Sequence, residues 1–179
     1  MTKIDKNRYW LFNLRKKRGY SQEDIAKKIN IDRTYYSRIE NGERKPSKQI
    51  SDKIAEILKF HPSIFMMEDN PFYYALENSP MIIAHCDLDL RYTWIFNPHT
   101  DFDPNTVIGK RDDEIKVNTG TLALMALKQD VIETKKSIRR DISFPLSDTS
   151  HVYDVFAQPL FDNNGDIIGV ATASTDRTN

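Results

Sequence analysis

The 179-residue chain contains a single cysteine, Cys86, which excludes an internal disulfide and any metal cluster built from several thiolates. No apolar run approaches the ~20 residues needed to span a bilayer, and the charged N-terminus is no secretory signal. A cytoplasmic location is the resulting expectation. Catalytic punctuation is missing too: there is no Gly-rich phosphate loop, no nucleophile elbow and no two-His metal helix. A non-enzyme is expected. Hydrophobic residues make up 39%, below the globular average of ~45–50%, yet 11% aromatics are enough for a packed core. The length fits one large domain or two small ones.

The net charge of zero hides a division. Residues 1–60 hold 16 Lys and Arg against 8 Asp and Glu, while residues 61–179 hold 10 against 18. A basic head on an acidic body implies that the head alone meets a polyanion.

The head reads as four short helices. Asp5 or Asn7 caps a first helix that runs to Arg18 and stops at Gly19, with Leu11 and Leu14 on one face. Ser21 with Asp24 has the form of a capping box, and Ile25, Ala26 and Ile29 give the second helix a narrow apolar face. Asp32 caps a third helix that buries Tyr36 and Ile39 and ends at Asn41-Gly42; Ser47 caps a fourth bearing Ile50, Ile54, Ile57 and Leu58. Trp10 and Phe12 fall off the Leu11/Leu14 face and are expected against the body or a partner subunit.

The segments LRKKRGYSQEDIA, YYSRIENGERKPS and ISDKIAEIL resemble, in register over residues 8–60, the helix-turn-helix of the phage-repressor (Xre/Cro) family. The resemblance implies that the third helix enters the major groove of double-stranded DNA while the second crosses the backbone. Arg33, Thr34, Ser37 and Arg38 then become candidates for base edges, Arg for guanine and Thr for a thymine methyl or a hydrogen bond. Gln22, Asn41, Arg44 and Lys45 become candidates for phosphates. Arg15 with Glu40 matches the family's internal ion pair, a structural role. Tyr35 is open between a phosphate contact and plain packing.

Residues 61–79 form an aromatic joint cut by Pro62, Pro71 and Pro80. Its apolar character implies a docked segment with one or two short helices, unlike a polar Gly/Ser-rich spacer.

From residue 80 the periodicity changes. Residues 81–86 and 91–97 read as strands, with Tyr92, Trp94 and Phe96 on one face of the second. Short helical turns follow, with Asp112-Asp113-Glu114 as a solvated turn, then a long helix over 119–136 with Leu122, Met125, Gln129 and Ile132 on a stripe. Three more strands are expected over 137–146, 151–161 and 166–175, the last two joined by an Asp-Asn-Asn-Gly-Asp hairpin.

That order, together with TWIFNP, VIGK, FAQPLFDNNGDIIGV and the closing Asp176-Arg177-Thr178, resembles a PAS domain over residues 78–178. The implied architecture is two domains: an all-α helix-turn-helix bundle of four or five helices (1–60), the joint (61–79), and an α+β PAS domain with a five-stranded antiparallel sheet (80–179). PAS domains hold small molecules, haem or flavin, or serve in dimerisation. Flavin-thiol photochemistry is disfavoured because the long helix lacks the required cysteine. Haem has no histidine on that helix, leaving His85, His99 and His151. A small organic ligand fits better, with Trp94, Phe96, Met125, Phe144 and Tyr153 as candidate lining. Arg140 shares strand parity with Ile138, Ile142 and Phe144, so it either faces a ligand carboxylate or, the favoured alternative, meets a nearby acid. With the chain stopping three residues after Asp176, output is expected from the head. The combined expectation is a one-component regulator that dimerises on an inverted-repeat operator. The competing class is an assembly module with an empty PAS fold.

Overall fold

The computed structural model describes residues 8–67, 71–77, 79–147 and 149–178. Helix α1 (Tyr9–Lys17) follows Arg8; Asp5 and Asn7 lie outside the described residues. Helix α2 (Gln22–Ile29) begins with a complete Ser21/Asp24 capping box. In α3 (Arg33–Glu40) the Asp32 carboxylate accepts from the amides of Thr34 and Tyr35, and α4 (Lys48–Leu58) is capped by Ser47. Each cap satisfies amides that the first turn leaves without helical partners. Leu11, Leu14, Ile25, Tyr36, Ile39, Ile54 and Leu58 fill the core between these helices.

The joint supplies α5 (Ile64–Met67) and α6 (Pro71–Leu76). Phe60 and Phe65 meet Trp10 edge-on, at ring separations of 5.1 and 5.4 Å. Trp10 is thus held between Phe60 at the end of the head and Phe65 of the joint, while Phe12 stays exposed under the Arg15 guanidinium.

The body is a five-stranded antiparallel sheet in the order β2-β1-β5-β4-β3, built from β1 (Met81–Cys86), β2 (Tyr92–Phe96), β3 (Ile138–Pro145), β4 (Ser150–Phe161) and β5 (Ile167–Asp176). Short helices α7 (Pro104–Val107) and α8 (Asp112–Ile115) lead to α9 (Thr119–Thr134), which lies across the inner face. Gly120 permits that approach, since a Cβ there would stand 2.5 Å from the Phe144 ring.

Two side-chain phases differ from the sequence expectation. Cys86 pairs with Tyr92 but His85 pairs with Trp94, so Thr93 is an extra residue in β2. This bulge turns Tyr92 to the inner face and Trp94 and Phe96 to the outer one. On α9 the buried stripe is Thr121, Leu124, Leu127, Lys128 and Val131, whereas Leu122 is exposed and Met125 half-buried.

The outer face of β1 and β2 is the seat of the head. Trp94, Phe96 and Ile108 join the same buried cluster as Leu11 and Leu14. Arg18 pairs with Asp87 at 2.7 Å, and Asn13 Nδ2 donates to the Asn105 carbonyl at 3.0 Å. Among the described residues no helix is long and apolar enough to cross a membrane.

Candidate DNA-reading face and body cavity

On the head, α3 displays Arg33, Thr34 and Arg38 to solvent, with Ser37 half-exposed beside them. Asn41, Arg44 and Lys45 are exposed just beyond its end. Arg44 lies 5.1 Å over the Tyr35 ring, so Tyr35 is partly packed and supports that guanidinium. Behind this face Arg15 Nε and Nη2 donate to the two Glu40 oxygens at 2.6 and 2.7 Å. Tyr36 Oη and Gln22 Nε2 donate to the same carboxylate. The hydrogen bond to Glu40 raises the Arg15 pKa. Burial, then the charge of Glu40, pushes the Tyr36 phenol above its ordinary range. Four side chains thereby bolt α1, α2 and α3 together. Gln22, a phosphate candidate in the sequence, is half-exposed and spends one amide N–H on Glu40, so a phosphate contact there would use the other.

Inside the body, between the sheet and α7–α9, lies a cavity of about 70 Å³. Ile82, Ala84, Ile95, Val107, Leu124, Phe144 and Tyr153 give it apolar walls. Of the six candidate lining residues, the structure brings Phe144 and Tyr153 together here, with rings 5.6 Å apart. Trp94 and Phe96 are corrected to the outer face by the Thr93 bulge. Met125 packs at the edge of the α9–sheet core. Arg140 is not a lining residue but follows the favoured alternative: it lies at the surface and pairs with Asp130 of α9 at 3.1 Å.

The sequence reading missed the cavity's polar end. Asp112 is buried, 4% exposed, and is no solvated turn. It accepts from Tyr92 Oη at 2.5 Å and from Lys128 Nζ at 2.7 Å. Lys128, 1% exposed, also lies 4.1 Å from the Tyr92 ring centroid. Burial alone would lower the Lys128 pKa, but the charge of Asp112 and the Tyr92 phenol outweigh it and raise the value. Burial, then Asp112, likewise raises the Tyr92 phenol. The available signal was a lysine in phase with Leu124 and Val131, since a charge on a buried stripe demands a partner.

The candidate haem histidines are scattered. His99 lines the cavity and its Nδ1 accepts from the Asp101 amide at 3.2 Å. His151 sits 2.7 Å from the Asp176 carboxylate. His85 lies on the outer face against Trp94, and its Nδ1 is buried without a partner among the described residues. Burial, then neighbouring His61, pushes His85 down to about 4. A tetrapyrrole does not fit: cavities for drug-sized ligands run to ~300–1,000 Å³. Burial pushes the Cys86 thiol up to about 11, which makes it a poor nucleophile. No group of three or more His, Cys, Asp or Glu among the described residues could hold a metal.

Comparison with known proteins agrees with this geometry. A family model described as Helix-turn-helix matches residues 11–65, and one described as PAS fold matches residues 76–179. The chain belongs to the PAS-fold family and carries a helix-turn-helix head. The head is 50% identical over 58 residues to YqaF, an uncharacterized HTH-type transcriptional regulator of Bacillus subtilis (strain 168), covering 32% of this chain and 76% of YqaF. The PAS region is 33% identical over 108 residues to a probable histidine kinase of Oryza sativa subsp. indica, covering 59% of this chain and 11% of the kinase. Among solved structures, the ligand–DNA complex of VqmA from Vibrio cholera matches with a TM-score of 0.51 at 20% identity, over 59% of this chain and 49% of VqmA. A Vibrio cholerae VqmA dimer without target DNA gives 0.52 at 20%, over 62% and 53%. The chain thus spans about a tenth of the kinase and half of VqmA. At that identity the VqmA likeness concerns the fold alone.

Proposed function

We propose that this helix-turn-helix–PAS protein is a sequence-specific transcriptional regulator whose body binds a small neutral organic molecule. The carrying observation is the exposed Arg33, Thr34, Ser37 and Arg38 face on a helix that the Arg15–Glu40 pair holds rigid. Arg33 and Arg38 suit guanine edges, Thr34 and Ser37 suit hydrogen bonds or a thymine methyl, and Asn41, Arg44 and Lys45 suit phosphates. The likeness to YqaF supports DNA as the partner, and the VqmA ligand–DNA complex supports pairing that role with a PAS cavity. The protein acts as a homodimer on an inverted repeat in the cytoplasm, its recognition helices about one helical turn (~34 Å) apart.

Ligand charge follows from the cavity wall. Asp112 is the charged group there, and Lys128 already neutralises it, so an anionic guest would meet no unpaired cation. A compact apolar molecule with one or two hydrogen-bonding groups suits Tyr92 Oη and the Thr172 and Ser174 hydroxyls that share the wall.

Selection of bound fragments from a random DNA library, followed by fluorescence anisotropy, tests the reading. Wild type should enrich one motif, and Arg33→Ala with Arg38→Ala should each weaken it by ~1–3 kcal/mol without altering the fold. Unchanged sequence-specific binding in the double variant would sink the regulator reading. Added salt should weaken binding steeply.

A further inference from the structure

The cavity and the seat of the head share one wall, the arch from Pro104 to Gly109. Its residues face both ways within two positions. Val107, 1% exposed, lines the cavity, and Ile108, 2% exposed, enters the head's core beside Trp94 and Phe96. The arch is pinned on both sides. On the body side, the Gly109 amide donates to the Tyr92 carbonyl at 2.7 Å and the Tyr92 amide donates to the Lys110 carbonyl at 2.9 Å. Tyr92 is the residue whose phenol holds Asp112 at the cavity's polar end. On the head side, Asn13 of α1 donates to the Asn105 carbonyl. Lys17 of α1 rests on Gly109 so closely that a Cβ there would stand 2.8 Å from its Cγ. Gly109 also holds φ at +80°, a conformation that L side chains resist.

We propose that the head reads DNA while seated on the PAS sheet, and that occupancy of the cavity reaches the head through the arch 104–109. The proposal rests on the ligand-sensing reading above and names its route. Close-packed walls transmit displacement instead of absorbing it. A guest that shifts Val107 therefore shifts Ile108, and with it α1. Because Arg15 of α1 holds Glu40 of α3, a moved α1 re-aims the recognition helix. The seat takes one side of α1 and leaves Arg33, Thr34 and Arg38 of α3 exposed, so DNA binding needs no undocking. In a dimer, the route would change the separation of two recognition helices without releasing either head.

Two measurements on the full chain test this. In the first, Asn13→Cys and Asn105→Cys, with Cys86→Ser, are joined by a short bis-maleimide. The cross-linked protein should hold its selected DNA within about threefold of the uncross-linked variant; a loss above tenfold, with the uncross-linked variant binding normally, overturns the docked-reading claim. The second uses phenol as a neutral probe, followed by amide hydrogen exchange. Changed exchange at Tyr92 and Val107 should come with changed exchange along α1. Change at Tyr92 and Val107 with α1 untouched overturns the route and leaves the cavity reading standing. No change at either residue counts against the cavity reading instead, and Val107→Phe, which fills the cavity from the arch itself, then gives the same α1 readout. A folded Val107→Phe protein with unaltered α1 exchange overturns the route without any ligand.

Discussion

Head and body each bury an ion pair, and the two keep different company. Arg15 and Glu40 are closed in by Gln22 and Tyr36, so that every strong donor around the carboxylate comes from the head. Asp112 and Lys128 are as deeply buried, yet Asp112 borders a cavity. A buried pair is weak evidence for stability, because desolvation offsets much of the attraction. The comparison therefore separates two uses of one motif. In the head, the pair joins three helices in a fixed geometry. In the body, it provides a polar but electrically balanced patch on the wall of an apolar hole, the patch that the proposed ligand would meet.

The most damaging way to break this comparison is to strip one partner. Lys128→Met should cost ~3–5 kcal/mol in urea unfolding of the body, since Asp112 is left charged and buried. Adding Asp112→Leu should recover most of that loss. If Lys128→Met cost under 1 kcal/mol, the body pair would not be the element described. Glu40→Leu should cost about 3 kcal/mol by leaving Arg15 unpaired, and it should leave phenol-induced exchange at Tyr92 intact, because nothing in the head pair touches the cavity.

Acid should act between the two regions. Unfolded chain takes up a proton on His85 near pH 6.5, while the native ring resists it down to about 4. Stability should therefore fall as pH drops through that window, by about 3 kcal/mol at most, and be flat for this group below it. His85→Phe should remove that slope in a thermal-unfolding series; an unchanged slope would place the acid sensitivity elsewhere. The smallest effect belongs to a surface pair. Arg139 and Asp154 form an ion pair with Arg139 largely exposed, and Arg139→Ala should change stability by less than ~1 kcal/mol.

Legibility in the sequence followed how local each signal was. The head was readable almost completely because its signals are caps and stops within four residues: Ser21 with Asp24, Asp32, Ser47, Gly19 and Gly42. The succession of strands and helices along the body is legible as well, from alternation and the Asp162–Asp166 turn, whereas their order in the sheet is not. What failed was phase. One bulge at Thr93 reverses everything after it, so simple alternation points Trp94 and Phe96 into the cavity when they belong to the seat. Residues 122–127 are apolar without interruption, which leaves no period from which to fix the buried side of α9. Asp112 looked solvated among acidic neighbours because its partners lie 20 residues before it and 16 after, at separations no local pattern encodes.

The seat has a consequence for how such a chain can be taken apart. Severed near residue 78, the body alone would turn Ile83, Trp94, Phe96 and Ile108 out to water as one oily patch, the kind of surface that drives association. Exchanging the reading head for a foreign one would meet the same obstacle unless the newcomer brought a matching underside. What looks in sequence like two shuffled modules is, at this face, a pair of halves that must be inherited together.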